Sequence, residues 1–149
     1  MRNKQKKAHF IGLCGKGMSG VARLLQESGW EVTGSDAGFY DPIKSYIEHC
    51  GLDCMTPHAK QNIPEDVDAI IIGRHAKLIP EHNEEVKHAF EHFADKIRSY
   101  PEILEDMTEN TTNFVVTGSY GKSTITALLT WILISNKIDT SYMIGALPF

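Results

Sequence analysis

Two glycine-rich stretches hold the residues whose types and spacing could do chemistry. The first, Gly12-Leu13-Cys14-Gly15-Lys16-Gly17-Met18-Ser19-Gly20, has the spacing G-x-G-x-x-G at Gly15, Gly17 and Gly20. Glycines so placed allow a tight turn and let backbone N–H groups approach a diphosphate, which a helix starting at the turn stabilises with its partial positive charge. Asp36 follows Gly15 by about 20 residues, the separation at which an acidic side chain reaches a ribose hydroxyl. The second stretch, Val116-Thr117-Gly118-Ser119-Tyr120-Gly121-Lys122-Ser123-Thr124, ends like a P-loop. There the amides of Gly118 to Thr124 would cradle phosphates, Lys122 would reach the β and γ phosphates, and the Ser123 hydroxyl would ligate Mg²⁺. It departs from G-x-x-x-x-G-K in having Val116 at the leading glycine position and an extra glycine at 118. The plainer alternatives are glycines that only permit close helix packing, and a tight turn with a solvated lysine.

Both loops need a strand before them and a helix after them. Residues 8–13 form a short apolar run, and beyond Gly17 the apolar residues Met18, Val21, Leu24 and Leu25 recur at helical spacing. A second strand is expected at 31–34, then a helix capped by Asp41 with Pro42 in its first turn, carrying Ile43, Tyr46, Ile47 and Cys50 inward and stopping at Gly51. Strands are expected at 52–55 and 67–72, followed by a helix capped by Asn83 with a stripe of Val86, Ala89, Phe90 and Phe93. Around the second loop, 114–117 reads as a strand, 122–135 as an apolar helix and 141–145 as the start of another strand. Strands alternating with helices imply an α/β fold with a parallel sheet.

Composition narrows the function classes. Fifteen Lys and Arg against nineteen Asp and Glu leave a net charge of -4, so no general basic field gathers nucleic acid or anionic lipid. Glycines and charges break the only early apolar stretch, which therefore suits neither a signal segment nor a membrane span. Three cysteines, Cys14, Cys50 and Cys54, fit free thiols in a reducing compartment, and the expected location is cytoplasmic. Cys14 lies inside the first loop, where alkylation would interfere with a ligand. His88 and His92 stand one helical turn apart with no third ligand, so all seven histidines read as surface residues rather than a metal site.

The wording of both loops resembles the Mur ligase family of peptidoglycan enzymes, over nearly the whole chain. His9-Phe10-Ile11-Gly12 running into Gly15-Lys16-Gly17-Met18-Ser19-Gly20, followed by Val32-Thr33-Gly34-Ser35-Asp36, is similar to the opening of the UDP-N-acetylmuramate ligases. Gly118-Ser119-Tyr120-Gly121-Lys122-Ser123-Thr124 resembles that family's phosphate loop, which also lacks the leading glycine; Ser119 stands where Thr is usual and Tyr120 where His or Asn is common. Ser99-Tyr100-Pro101-Glu102, Thr124-Ile125-Thr126 and Tyr142-Met143-Ile144-Gly145-Ala146 look like the branch that joins murein tripeptide, with the L-alanine-adding branch close beside it.

The resemblance implies a Rossmann-like UDP-binding domain over 1–98, a linker over 99–112, and over 113–149 the first strand, P-loop and helix of an incomplete ATP-binding domain. The chain thus reads as the front of a longer protein. It also implies ATP-dependent amide bond formation through an acyl phosphate, joining L-alanine or the tripeptide L-Ala-γ-D-Glu-meso-diaminopimelate to UDP-N-acetylmuramate, with the fragment inactive alone. Gly15, Lys16, Gly17, Met18 and Ser19 would hold the UDP diphosphate, with Ser35 and Asp36 near uridine and Arg74 and His75 as further UDP contacts. Gly118, Ser119, Tyr120, Gly121, Lys122, Ser123 and Thr124 would bind ATP, Lys122 as the catalytic cation and Ser123 and Thr124 toward Mg²⁺. The rival reading is an NAD-binding Rossmann module of a dehydrogenase or regulator, which leaves the second loop unexplained.

Overall fold

A computed structural model describes residues 5–15, 17–38 and 41–145. The chain divides into two compact units, 1–109 and 110–149. In the first, strands β1 (Lys7–Ile11), β2 (Glu31–Ser35), β3 (Asp53–Met55), β4 (Ala69–Ile72) and β5 (Ile97–Arg98) make one sheet in the order β3-β2-β1-β4-β5. Every neighbouring pair is parallel, with Phe10 opposite Gly34 on one side and Ile71 on the other. The order reverses between β1 and β4, so a crevice for ligand opens beyond the carboxyl ends of those strands.

The helices are α1 (Met18–Glu27), α2 (Ile43–Cys50), α3 (Glu84–His92) and α4 (Tyr100–Thr108). Alternation along β1 sends Ala8 and Phe10 to one face, where Val21, Ala22 and Leu25 of α1, Ile47 of α2 and Ile103 of α4 complete a core. Ile11 points the other way and packs with Ile63, Val67, Ile70 and α3 residues Val86 and Ala89. Phe10, Leu25, Ile70 and Ile71 are fully buried, each contributing on the order of 2 kcal/mol. Burial on both faces is what a central parallel strand requires.

Local signals place most helix ends. The Asn83 side chain accepts the Glu85 and Val86 amides, each at 3.0 Å, and opens α3 with two acidic residues favourable to the helix dipole. Ser99 and Glu102 form a reciprocal capping box at the start of α4. The Asp41 carboxylate accepts the Ser45 hydroxyl at 2.6 Å, although α2 begins two residues later at Ile43.

Three expectations change. The expected linker over 99–112 contains α4, which belongs to the first unit, with Ile103 buried and Tyr100, Leu104 and Met107 packed on the core. Phe90 is half exposed, whereas Glu85 is fully buried, because the inward face of α3 is centred on Glu85, Val86 and Ala89. In the second unit neither 114–117 nor 141–145 forms a strand among the described residues; its one regular element is α5 (Lys122–Ser135). A strand exists only through ladder partners, and Phe114 and Val115 stand exposed without one. Helix α5 buries none of its residues and exposes Ile125, Leu128, Trp131, Ile132 and Ile134, although a helix this apolar is suited to a core. No helix among the described residues is long and apolar enough to cross a membrane.

Candidate functional site

The first loop leaves β1 at the crevice and is held from below by β2. The Gly12 and Leu13 amides donate to the Ser35 carbonyl at 2.8 and 3.0 Å, and the Cys14 amide donates to Asp36 Oδ2 at 2.8 Å. The Gly15 amide closes a turn onto the Gly12 carbonyl at 3.1 Å, and the Met18 amide returns to the Gly15 carbonyl at 3.0 Å. Gly17 caps α1 with φ of 93°, a left-handed conformation that side chains resist. A Cβ there would lie 3.1 Å from the Tyr100 hydroxyl on α4, so the turn is closely backed as well as sharply bent.

Within this frame the candidate residues separate by role. Gly15 and Gly17 sit at the turn, half-buried, and Lys16 lies outside the described residues. Met18 and Ser19 are buried in the first turn of α1, with the Met18 side chain in the core. Asp36 is engaged with the loop it was expected to accompany: besides Cys14, it accepts the Ala37 amide at 2.7 Å. Arg74 and His75 are exposed just beyond β4, where the Gly73 amide donates to the Ile11 carbonyl at 2.8 Å. These two side chains therefore stand at the same sheet edge as the loop.

Ser35 does not present its hydroxyl to the crevice. It is fully buried and donates to Glu85 Oε2 at 2.7 Å, with His58 Nδ1 2.8 Å away. Glu85 is equally buried and receives the Ala59 amide at 3.2 Å, while its Oε1 meets His9 Nε2 at 2.8 Å. His9 in turn reaches the Thr33 hydroxyl at 2.8 Å, which corrects its assignment to the surface. Burial alone would raise the Glu85 pKa, but hydrogen bonds from His58, His9 and Ser35 outweigh it and hold the carboxyl at about 2. Sequence reading missed this group. Its one local trace is that Glu85 lies a helical turn before the inward Ala89.

The second loop is built on its own unit. Gly121 caps α5 in the left-handed region, with φ of 75°, and no side chain caps the helix amides. Lys122 folds back so that Nζ donates to the Gly118 carbonyl at 2.7 Å and lies 3.4 Å from that of Ser119. Ser119, Tyr120, Ser123 and Thr124 are exposed around it. A Cβ at Gly118 or Gly121 would meet nothing closer than 3.7 Å, so the concave side of the loop is open. Uncapped amides, an open curve and one flexible ammonium suit a polyphosphate, and exposed hydroxyls on the first turn suit an accompanying Mg²⁺.

The thiols belong to the first unit. Cys14 contacts Cys54 across the loop, and burial, with the Asp36 carboxylate nearby, pushes the Cys14 thiol up to about 11; burial raises Cys54 further. Cys14 in the folded chain is therefore expected to alkylate about a hundredfold more slowly at neutral pH than in denaturant, since thiolate is the reacting species. Peptide mapping of iodoacetamide labelling checks this, and equal rates would contradict it. The His88 and His92 rings lie 4.5 Å apart on α3, tilted by 47°, and no group of three metal-ligating side chains occurs among the described residues.

The chain is similar in sequence and fold to known proteins. The profile of the Mur ligase family, catalytic domain, matches residues 7–112. A UDP-N-acetylmuramate–L-alanyl-γ-D-glutamyl-meso-2,6-diaminoheptandioate ligase of Haemophilus influenzae is 31% identical over 143 residues, covering 95% of this chain and 31% of that protein. A UDP-N-acetylmuramate–L-alanine ligase of Streptococcus pyogenes is 35% identical over 140 residues, covering 94% of this chain and 30% of its own length. The crystal structure of the corresponding tripeptide ligase from Neisseria meningitides superposes with a TM-score of 0.80 at 28% identity, over 97% of this chain and 44% of that one. The L-alanine ligase of Thermotoga maritima gives 0.72 at 27% identity, over 88% and 30%. The chain thus spans about a third of the length of the curated relatives it matches. With the family profile over most of its length, the sheet order that supports the first loop, and relatives above 30% identity, the chain belongs to the Mur ligase family.

Proposed function

We propose that the first unit binds the UDP part of UDP-N-acetylmuramate, and that residues 113–149 begin the ATP-binding domain of a ligase joining L-alanine or a murein tripeptide to that substrate. The observation that carries the reading is the first loop. Its turn is tied through three successive amides to the last residue of β2 and to Asp36 just after it, and stands at the carboxyl edge of the sheet, where α1 adds its positive end. Gly15, Lys16, Gly17, Met18 and Ser19 would hold the diphosphate. Asp36, already holding the loop, would contribute a remaining carboxylate lone pair toward ribose, and Arg74 and His75 would approach from β4.

In the second loop, Lys122 would exchange the Gly118 and Ser119 carbonyls for the β and γ phosphates of ATP, with Ser123 and Thr124 directed to Mg²⁺. Bound Mg²⁺ supplies charge neutralisation on the triphosphate. The loop amides and Lys122 would stabilise charge as the γ-phosphoryl group passes from ATP to the substrate carboxylate, releasing ADP and forming an acyl phosphate from which an amine then displaces inorganic phosphate. Tyr120, almost fully exposed, would contact phosphate or the incoming amine. The 149 residues by themselves would bind UDP without catalysing ligation.

Calorimetric titration with UDP-N-acetylmuramate, UDP and NAD tests the first unit. The two uridine ligands are expected to bind and NAD to fail. Gly17→Asp is expected to weaken uridine binding by at least about tenfold, because it strains a positive φ, crowds Tyr100 and sets a negative charge beside the diphosphate. Preference for NAD, or no binding of any of the three, overturns the reading.

A further inference from the structure

We infer that Glu85 is a positioning residue for the first glycine loop, acting through Ser35 from the far side of the sheet. The ligand assigned to that loop rests on the proposed UDP reading, whereas the positioning role can be measured without ligand.

One buried carboxylate links three parts of the unit that are distant in sequence. From the first turn of α3, Glu85 Oε1 meets His9 of β1 at 2.8 Å, and Oε2 accepts the Ser35 hydroxyl at the end of β2 at 2.7 Å. The same oxygen accepts the Ala59 amide at 3.2 Å and lies 3.2 Å from His58 Nδ1, in the segment after β3. His9 extends the chain to the Thr33 hydroxyl on β2. All of this lies on the α3 face of the sheet, where the surrounding residues are Ile11, Ile70, Val86 and Ala89.

Ser35 connects this cluster to the loop. Its hydroxyl is tied to Glu85, and its carbonyl accepts the amides of Gly12 and Leu13. The next residue, Asp36, accepts the amide of Cys14. Three consecutive loop amides thus hang on two residues, and the first of these is clamped by Glu85. In apolar surroundings a satisfied network is stiff, and removing its central acceptor leaves several donors unpaired. The end of β2 would then relax, and the turn after β1 with it.

Glutamine can take over most of the geometry. Its carbonyl oxygen would accept Ser35 and Ala59, while its amide would donate to His9 Nε2, moving the His9 proton to Nδ1, where it donates to Thr33. Leucine fills similar volume and keeps none of these bonds. The test is amide hydrogen exchange, read by NMR, on the 149-residue chain as wild type, Glu85→Gln, Glu85→Leu and Ser35→Ala, with UDP titration of each. Glu85→Leu is expected to raise exchange at Gly12, Leu13 and Cys14 by about tenfold or more while Leu25 of α1 and Ile103 of α4 change by less than about threefold. Glu85→Gln is expected to stay near wild type, and Ser35→Ala to raise Gly12 and Leu13 by about threefold. UDP affinity should follow the loop, falling about tenfold in the leucine variant and little in the glutamine variant. Unchanged loop exchange in Glu85→Leu, or a uniform rise through α1 and α4, overturns the inference. If Glu85→Leu does not fold, Ser35→Ala decides, and unchanged exchange at Gly12 and Leu13 overturns it. A wild-type chain that ignores UDP while the variants loosen the loop would reject the UDP reading and leave the positioning role standing.

Discussion

Gly34→Ala is expected to destabilise the first unit by about 3 kcal/mol, a large part of what a domain of this size has. Gly34 lies in the middle of the sheet, paired with Phe10 of β1. A Cβ added there would stand 2.8 Å from the Phe10 carbonyl oxygen, 2.9 Å from Leu13 Cδ2 and 3.0 Å from Leu13 Cβ. The Leu13 Cδ2 methyl can turn away, but the Leu13 Cβ and the Phe10 carbonyl are fixed by the backbone and move only with the chain. Leu13 is fully buried, so displacing it opens a void as well. For that reason the double change Gly34→Ala with Leu13→Ala should not recover stability. Urea unfolding followed by circular dichroism measures both, and an unchanged midpoint in Gly34→Ala would show that β1 and β2 have slack this packing denies.

Acid should weaken the fold through Glu85. Its carboxyl sits at about 2 in the folded chain against an ordinary 4.5, because His58, His9 and Ser35 hydrogen-bond the charged form strongly enough to overcome burial. A folded value below the unfolded one means that the folded state binds fewer protons across this interval. The stabilisation is therefore complete above about 4.5 and is lost as the pH falls toward about 2, amounting to on the order of 3 kcal/mol. Glu85→Gln cannot take up that proton, so its stability should vary less over the same window. Urea midpoints measured from pH 6 down to pH 2 (a range of about four units) compare the two proteins; parallel curves would mean that other carboxylates carry the acid sensitivity. Asp41 and Glu102 are also lowered by their serine partners, but both are exposed and screened by solvent, which makes them weak contributors.

Much of the fold was legible because its signals are local. The tight glycine turns at the two loops, the Asn83 cap and the helix at 122–135 each depend on residues a few positions apart. The apolar runs of β1 and β4 likewise announce strands buried on both faces. Spacing alone also located both candidate phosphate loops, since their glycines act through the backbone of the residues beside them. The family resemblance agrees with the family profile, which matches residues 7–112 and so takes in the first loop.

Other features depended on partners that spacing does not name. Asp36 stands at the end of β2 as anticipated, yet its carboxylate is spent first on Cys14, 22 residues earlier. Glu85 and His9 are 76 residues apart and meet only because α3 crosses the face of β1. Residues 114–117 have strand-like composition but no ladder partner among the described residues, so their pattern alone does not make a strand. The sequence by itself determined where the two glycine loops turn and where several helices lie, because those properties are settled within a few residues. Only the tertiary structure decided that Ser35 faces inward, that Asp36 braces the loop and that Glu85 is buried charged, because each needs hydrogen-bond partners brought in from distant strands and helices.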